Sequence, residues 1–130
     1  MQISALLAAA LTACSKTAPH AALPAGSTIL ALGDSLTAGY AADAEAAYPA
    51  VLASLTGWQI INGGVSGNTS AQALARLPAL MRRQPQLVLG SRVGNDFLSK
   101  VPEADTRSNI RQLVQQIKAA GRPAVLVAVP

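Results

Sequence analysis

From Thr28 onward, short runs that are apolar nearly throughout alternate with stretches of helical spacing, and this alternation restricts the fold more than any other feature. Thr28–Leu32, Trp58–Ile61, Leu87–Leu89 and Ala124–Val129 read as strands, because a strand covered on both faces has no polar side to show. Between them, Ala46–Leu55 and Ser70–Arg83 read as helices. A third helix follows from Ile110, Leu113, Val114 and Ile117, which fall at i, i+3, i+4 and i+7 and form one apolar stripe. Asp105 or Thr106 is placed to cap its start, and Gly121 with Pro123 to end it. Pro78 lies inside the second helical pattern, where the lost backbone N–H predicts a kink or a restart. Strand–helix alternation of this kind builds βαβ units with a parallel sheet, and right-handed crossovers place helices on both of its faces.

Ala, Leu and Val supply most of the apolar atoms, so the core is expected to consist of small aliphatic layers in one domain spanning residues 28–130. The net charge of +4 comes from ten basic and six acidic side chains dispersed along the chain, without an arginine-rich tract or a basic patch interleaved with aromatics; nucleic-acid binding is not supported. One His and one Cys leave no ligand set for a metal, and no cofactor is expected.

Before the first strand, Ile3–Ala13 is an uncharged apolar run of signal-peptide length, shorter than the roughly 20 residues a transmembrane helix needs. It ends in Leu11-Thr12-Ala13-Cys14, which resembles the lipobox of bacterial lipoproteins, although Met1 and Gln2 carry no positive charge. Residues 1–14 are therefore expected to be a lipoprotein signal with Cys14 as the lipidated residue, which implies a lipid anchor in the bacterial envelope; a buried free thiol in a first helix is the alternative. Residues 15–27 contain Lys16, Pro19, Pro24 and Gly26 without periodicity and read as a tether.

In open parallel sheets the chemistry sits beyond the carboxyl ends of the strands, which brings three loops together. The first is Gly33-Asp34-Ser35-Leu36-Thr37-Ala38-Gly39-Tyr40, where a serine on the turn after a buried strand is placed as a nucleophile, or Asp34-Ser35 as an ordinary helix cap. The second, Asn62 to Ser70, holds glycines that let the backbone approach a bound group. The Gly67 N–H is a candidate oxyanion donor, and a plain strand-to-helix turn capped by Thr69 or Ser70 is the alternative. The third, Gly94-Asn95-Asp96, offers the Asn95 carboxamide as another donor, or simply makes a turn.

Taken in this order and spacing, with Leu74-Ala75-Arg76-Leu77-Pro78 between the second and third, the three loops resemble the SGNH hydrolases, also called GDSL esterases and lipases. The likeness is closest to the bacterial lysophospholipase, acyl-CoA thioesterase and arylesterase branch, and runs from about Ile29 to the end. The resemblance implies a three-layer α/β/α sandwich with a mostly parallel, flavodoxin-like sheet. It also implies Ser35 as nucleophile, the Ser35 and Gly67 amides with the Asn95 side chain as the oxyanion hole, and Gly33 and Asp34 as turn-shaping residues. An acyl ester or thioester would be the substrate, cleaved through an acyl-serine.

Two departures qualify this. Gly90-Ser91-Arg92-Val93-Gly94 replaces the family's acidic residue, Leu and paired glycines, so that Val93 is expected to crowd the Asn95 loop. The family's late Asp-x-x-His motif does not occur before Pro130, and the sole histidine, His20, lies in the tether. Residues 28–130 are thus expected to form the N-terminal part of the domain, with activity impaired and one sheet edge open. A non-catalytic envelope lipoprotein that binds an acyl or glycan ligand in the remaining cleft is the alternative. A nucleotide binder is disfavoured, because neither Gly-x-Gly-x-x-Gly nor a Walker lysine follows the first strand.

Overall fold

The computed structural model describes residues 21–91 and 94–127. The expectations for the signal segment, Cys14 and His20, for Arg92 and Val93, and for the end of the last strand lie outside these residues.

Nine elements follow one another: β1 (Thr28–Gly33), α1 (Ser35–Ala38), α2 (Tyr48–Thr56), β2 (Gln59–Gly64), α3 (Ser70–Met81), β3 (Leu87–Ser91), α4 (Gly94–Leu98), α5 (Glu103–Ala119) and β4 (Ala124–Val127). The strands form one sheet in the order β2-β1-β3-β4, and every neighbouring pair is parallel. The direction of each step sets the layers. From β1 to β2 the chain moves toward one edge, whereas β2 to β3 and β3 to β4 move toward the other. Right-handed connections therefore put α2 on one face and α3 with α5 on the opposite one. The packing agrees: α2 lies on β2, and α3 and α5 run side by side. The molecule is an α/β/α sandwich, as the alternation and the resemblance implied.

β1 is central, and from Ile29 to Leu32 it is almost wholly buried, which explains its unbroken apolar run. Leu30 and Leu32 join Ile61, Val88, Ala73, Leu77, Leu113 and Ile117 in the main core between the sheet and the α3–α5 layer. The periodic residues of α5 supply that seam, while the opposite side of the helix is charged and solvated. β4 closes one edge, with Val125, Leu126 and Val127 each about half exposed, and an apolar cavity of 200 Å³ opens beside it between Gly90, Leu126 and the Ile110–Leu113 side of α5.

Beyond shifts of one or two residues at element ends, the structure differs from expectation in four places. β2 continues through Asn62, Gly63 and Gly64, which had read as loop, because these residues pair in register with Ala31, Leu32 and Gly33 of the central strand. Gly94-Asn95-Asp96 does not make a loop turn but opens the short helix α4, closed by Ser99 N–H on the Asn95 carbonyl at 2.8 Å. α3 runs through Pro78 without restarting. The cap position of α5 is taken by Pro102, and neither Asp105 nor Thr106 caps it, since both lie within the helix.

Candidate active site

Asp34 follows β1 and caps α1: its carboxylate accepts the Leu36 N–H at 3.0 Å while the residue is 5% exposed. Ser35 is consequently the first residue of the helix and is partly exposed. Its carbonyl accepts the N–H groups of Gly39 and Tyr40 at 3.0 and 2.9 Å, which closes a compact single-turn platform. Of the Asp34-Ser35 cap that the turn offered, Asp34 alone is the cap, and Ser35 stands just beyond it.

Beyond β2, the Val65 N–H donates to the Gly33 carbonyl at 3.1 Å, so the second loop leans on the first. Gly67 is exposed with φ +79°, and a methyl placed there would meet nothing within 4 Å; it is the left-handed backbone, not crowding, that calls for glycine. Thr69 caps α3 in a capping box with Gln72. Asn68, 8% exposed, is held by the Arg76 Nε at 2.8 Å, and the same guanidinium donates to the Gly63 carbonyl at 3.0 Å. Partial burial lowers the Arg76 pKa from its ordinary value.

Asn95 stands at the start of α4, and its Nδ2 donates to the Asn68 carbonyl at 3.0 Å. A carboxamide carries two N–H donors, and this bond uses one. The third loop is thereby tied to the backbone immediately beyond Gly67. Gly33, Asp34, Ser35, Gly67 and Asn95 all lie at the carboxyl edge of three adjacent strands, joined loop to loop by Val65 on Gly33 and Asn95 on Asn68.

Two networks behind this edge were not legible in the sequence. Asp96, only 2% exposed, accepts the Ser70 N–H at 2.7 Å, the Ser70 hydroxyl at 2.6 Å and the Thr106 hydroxyl at 3.1 Å, and Asn109 Nδ2 donates to Ser70 Oγ at 2.9 Å. A buried carboxylate at the N-terminus of α3 thus clamps α3, α4 and α5 together, where the helix dipole also favours a negative charge. Beneath Ser35, Thr37 Oγ1 lies 3.0 Å from Ser91 Oγ and 3.3 Å from the Tyr48 hydroxyl. Burial raises the Tyr48 pKa; the bond to Thr37 opposes this and the nearby Asp34 charge adds to it. The adjacency of Asp96 to Asn95 was the one available signal, since the contacts to Ser70 and from Asn109 span 26 and 39 positions. Among the described residues no three His, Cys, Asp or Glu side chains come together as a metal site, and none is a histidine.

Residues 31–130 match the family model described as GDSL-like Lipase/Acylhydrolase family. The chain belongs to this family. It is 44% identical over 110 residues to thioesterase 1/protease 1/lysophospholipase L1 of Escherichia coli strain K12, a match that covers 81% of this chain and 52% of that protein. The arylesterase of Vibrio mimicus is 38% identical over 115 residues, covering 84% and 58%. Among solved structures, AlinE4, an SGNH-hydrolase family esterase, superposes with a TM-score of 0.75 at 34% identity over 81% of this chain and 60% of its own. The chain spans little more than half the length of these curated relatives.

Proposed function

We propose that this chain provides the nucleophile and oxyanion-binding part of a serine ester hydrolase acting on acyl esters or thioesters, with Ser35 as the attacking group. The observation that carries the reading is the serine at the head of a helical turn beyond the central strand, with the Gly67 and Asn95 loops hydrogen-bonded to each other at the adjoining edge. Ser35 Oγ attacks the acyl carbonyl, and the oxygen that becomes negative is held by the Ser35 and Gly67 amides and the Asn95 carboxamide. The alcohol or thiol departs, and water then releases the acid from the acyl-serine. A general base has to take the serine proton as Ser35 Oγ attacks and hand it to the leaving alcohol or thiol. An apolar acyl group suits this edge, because Leu36, Tyr40, Phe97 and Leu98 are all largely exposed in and beside its short helices α1 and α4. The relatives named thioesterase, lysophospholipase and arylesterase support the same substrate class. Lipidation at Cys14 would place the protein at the envelope membrane, where such esters occur.

Incubating the purified chain with a fluorophosphonate and weighing the intact protein tests this. One slow adduct on Ser35, abolished by Ser35→Ala, is the expected result; an adduct elsewhere, or none, refutes the assignment. A second reading is a lipoprotein that only binds an acyl or glycan ligand, for which the exposed Leu36, Tyr40, Phe97 and Leu98 offer the apolar surface. Saturable ligand binding with no adduct at Ser35 would select it.

A further inference from the structure

We infer that Thr37 is a positioning residue for the proposed reaction: its buried hydroxyl locks the turn carrying Ser35 to the end of the strand that leads to Asn95. The catalytic consequence rests on the function proposed above, while the mechanical coupling stands on the packing alone.

α1 has four residues, and a single turn cannot maintain its own geometry in water. Besides the Asp34 cap it is held from outside, and the side-chain hydrogen bonds from the neighbouring strands and from α2 converge on Thr37, which is 0% exposed. The hydroxyl meets Ser91, the last residue of β3, and Tyr48, the first of α2; the carbonyl accepts Asn62 Nδ2 of β2 at 2.8 Å. Two strand positions keep space for it. A methyl on Gly33 would collide with the Thr37 and Ser91 hydroxyls, and one on Gly64 would lie 2.6 Å from the Thr37 carbonyl carbon and overlap the Ala38 nitrogen. Each hydroxyl can donate once and accept, so Thr37, Ser91 and Tyr48 form a chain in which removal of the middle member leaves two partners without it. Ser91 Oγ is therefore the link through which the height of Ser35 is set relative to the strand end from which the chain runs on to Asn95.

The test uses the whole chain with Thr37→Val, which keeps the branched shape and removes the hydroxyl, Thr37→Ser as rescue, Ser91→Ala, which breaks the same bond from the other side, and Ile117→Val as a core control on α5. Amide hydrogen exchange and the rate of phosphonylation at Ser35 are read for each. Thr37→Val and Ser91→Ala are expected to speed exchange about fivefold to tenfold at both 35–39 and 94–98, the factor for one lost buried hydrogen bond, and to slow phosphonylation at saturating reagent by a similar factor. Thr37→Ser should restore both, and Ile117→Val should move neither. Faster exchange confined to 35–39, or equal effects from Ile117→Val, would overturn the coupling. If Thr37→Val does not fold, Ser91→Ala decides by the same criterion. Absence of any adduct on the wild-type chain would sink the hydrolase reading, and the exchange pattern would still decide the coupling.

Discussion

Replacing Asp96 by Ala removes the carboxylate that three helices share. Three hydrogen bonds to the carboxylate are lost: the Ser70 N–H and the Ser70 hydroxyl become buried donors without an acceptor and the part-buried Thr106 hydroxyl loses its own, while Asn109 Nδ2 still donates to Ser70 Oγ. Each orphaned buried group costs about 1–3 kcal/mol, and two buried donors and one part-buried donor are orphaned, so the loss should be roughly 3–5 kcal/mol. That is a large share of the 5–15 kcal/mol available to a typical domain. Asp96→Asn keeps the shape and one acceptor but turns an amide against the Ser70 donors, and should cost about 1–3 kcal/mol. Urea unfolding followed by the fluorescence of Trp58, the sole tryptophan, whose Nε1 is bonded to the Leu23 carbonyl at 3.1 Å, measures both variants. For a chain of this size the Asp96→Ala midpoint should fall by roughly 2 M. A fall of less than about 0.5 M would mean that the carboxylate is solvated and that the clamp is not what joins α3, α4 and α5.

Tyr48 holds its proton more tightly in the folded chain than in the unfolded one, so its contribution is complete below about pH 10 and is lost as pH rises through that value toward the higher folded pKa. Thermal midpoints measured from neutral pH upward should therefore fall more steeply above pH ~10 for the wild type than for Tyr48→Phe, and parallel curves would count against this. The strand glycine Gly64 and the loop glycine Gly67 should separate by mechanism: Gly64→Ala drives a methyl into the backbone of Thr37 and Ala38 and should cost about 3 kcal/mol or more, whereas Gly67→Ala meets open space and should cost about 1–2 kcal/mol for its positive φ. Chemical denaturation of both variants gives the order, and a reversed order would refute the packing argument.

The strand–helix rhythm was legible because it is a local property. The apolar runs at Thr28–Leu32 and Leu87–Leu89 became β1 and β3 with small extensions, and the stripe Ile110, Leu113, Val114, Ile117 did face the sheet on α5. Where the local pattern was ambiguous, a neighbour decided. Asn62-Gly63-Gly64 has the composition of a loop, and it is strand because Ala31 to Gly33 lie beside it. Gly94-Asn95-Asp96 has the composition of a turn, and it begins a helix whose buried Asp96 is anchored by Ser70 and Thr106.

Periodicity and motif order thus determined, from the residues alone, a parallel α/β chain with Ser35, Gly67 and Asn95 on successive strand ends. Which polar side chains stand behind them was decided only in three dimensions. Thr37 meets Ser91 across 54 positions, and Asp96 meets Ser70 across 26, because the strand order β2-β1-β3-β4 sets their loops side by side. A hydrogen bond needs its partner at a fixed distance in space, and separation along the chain carries no record of that distance until the sheet has formed.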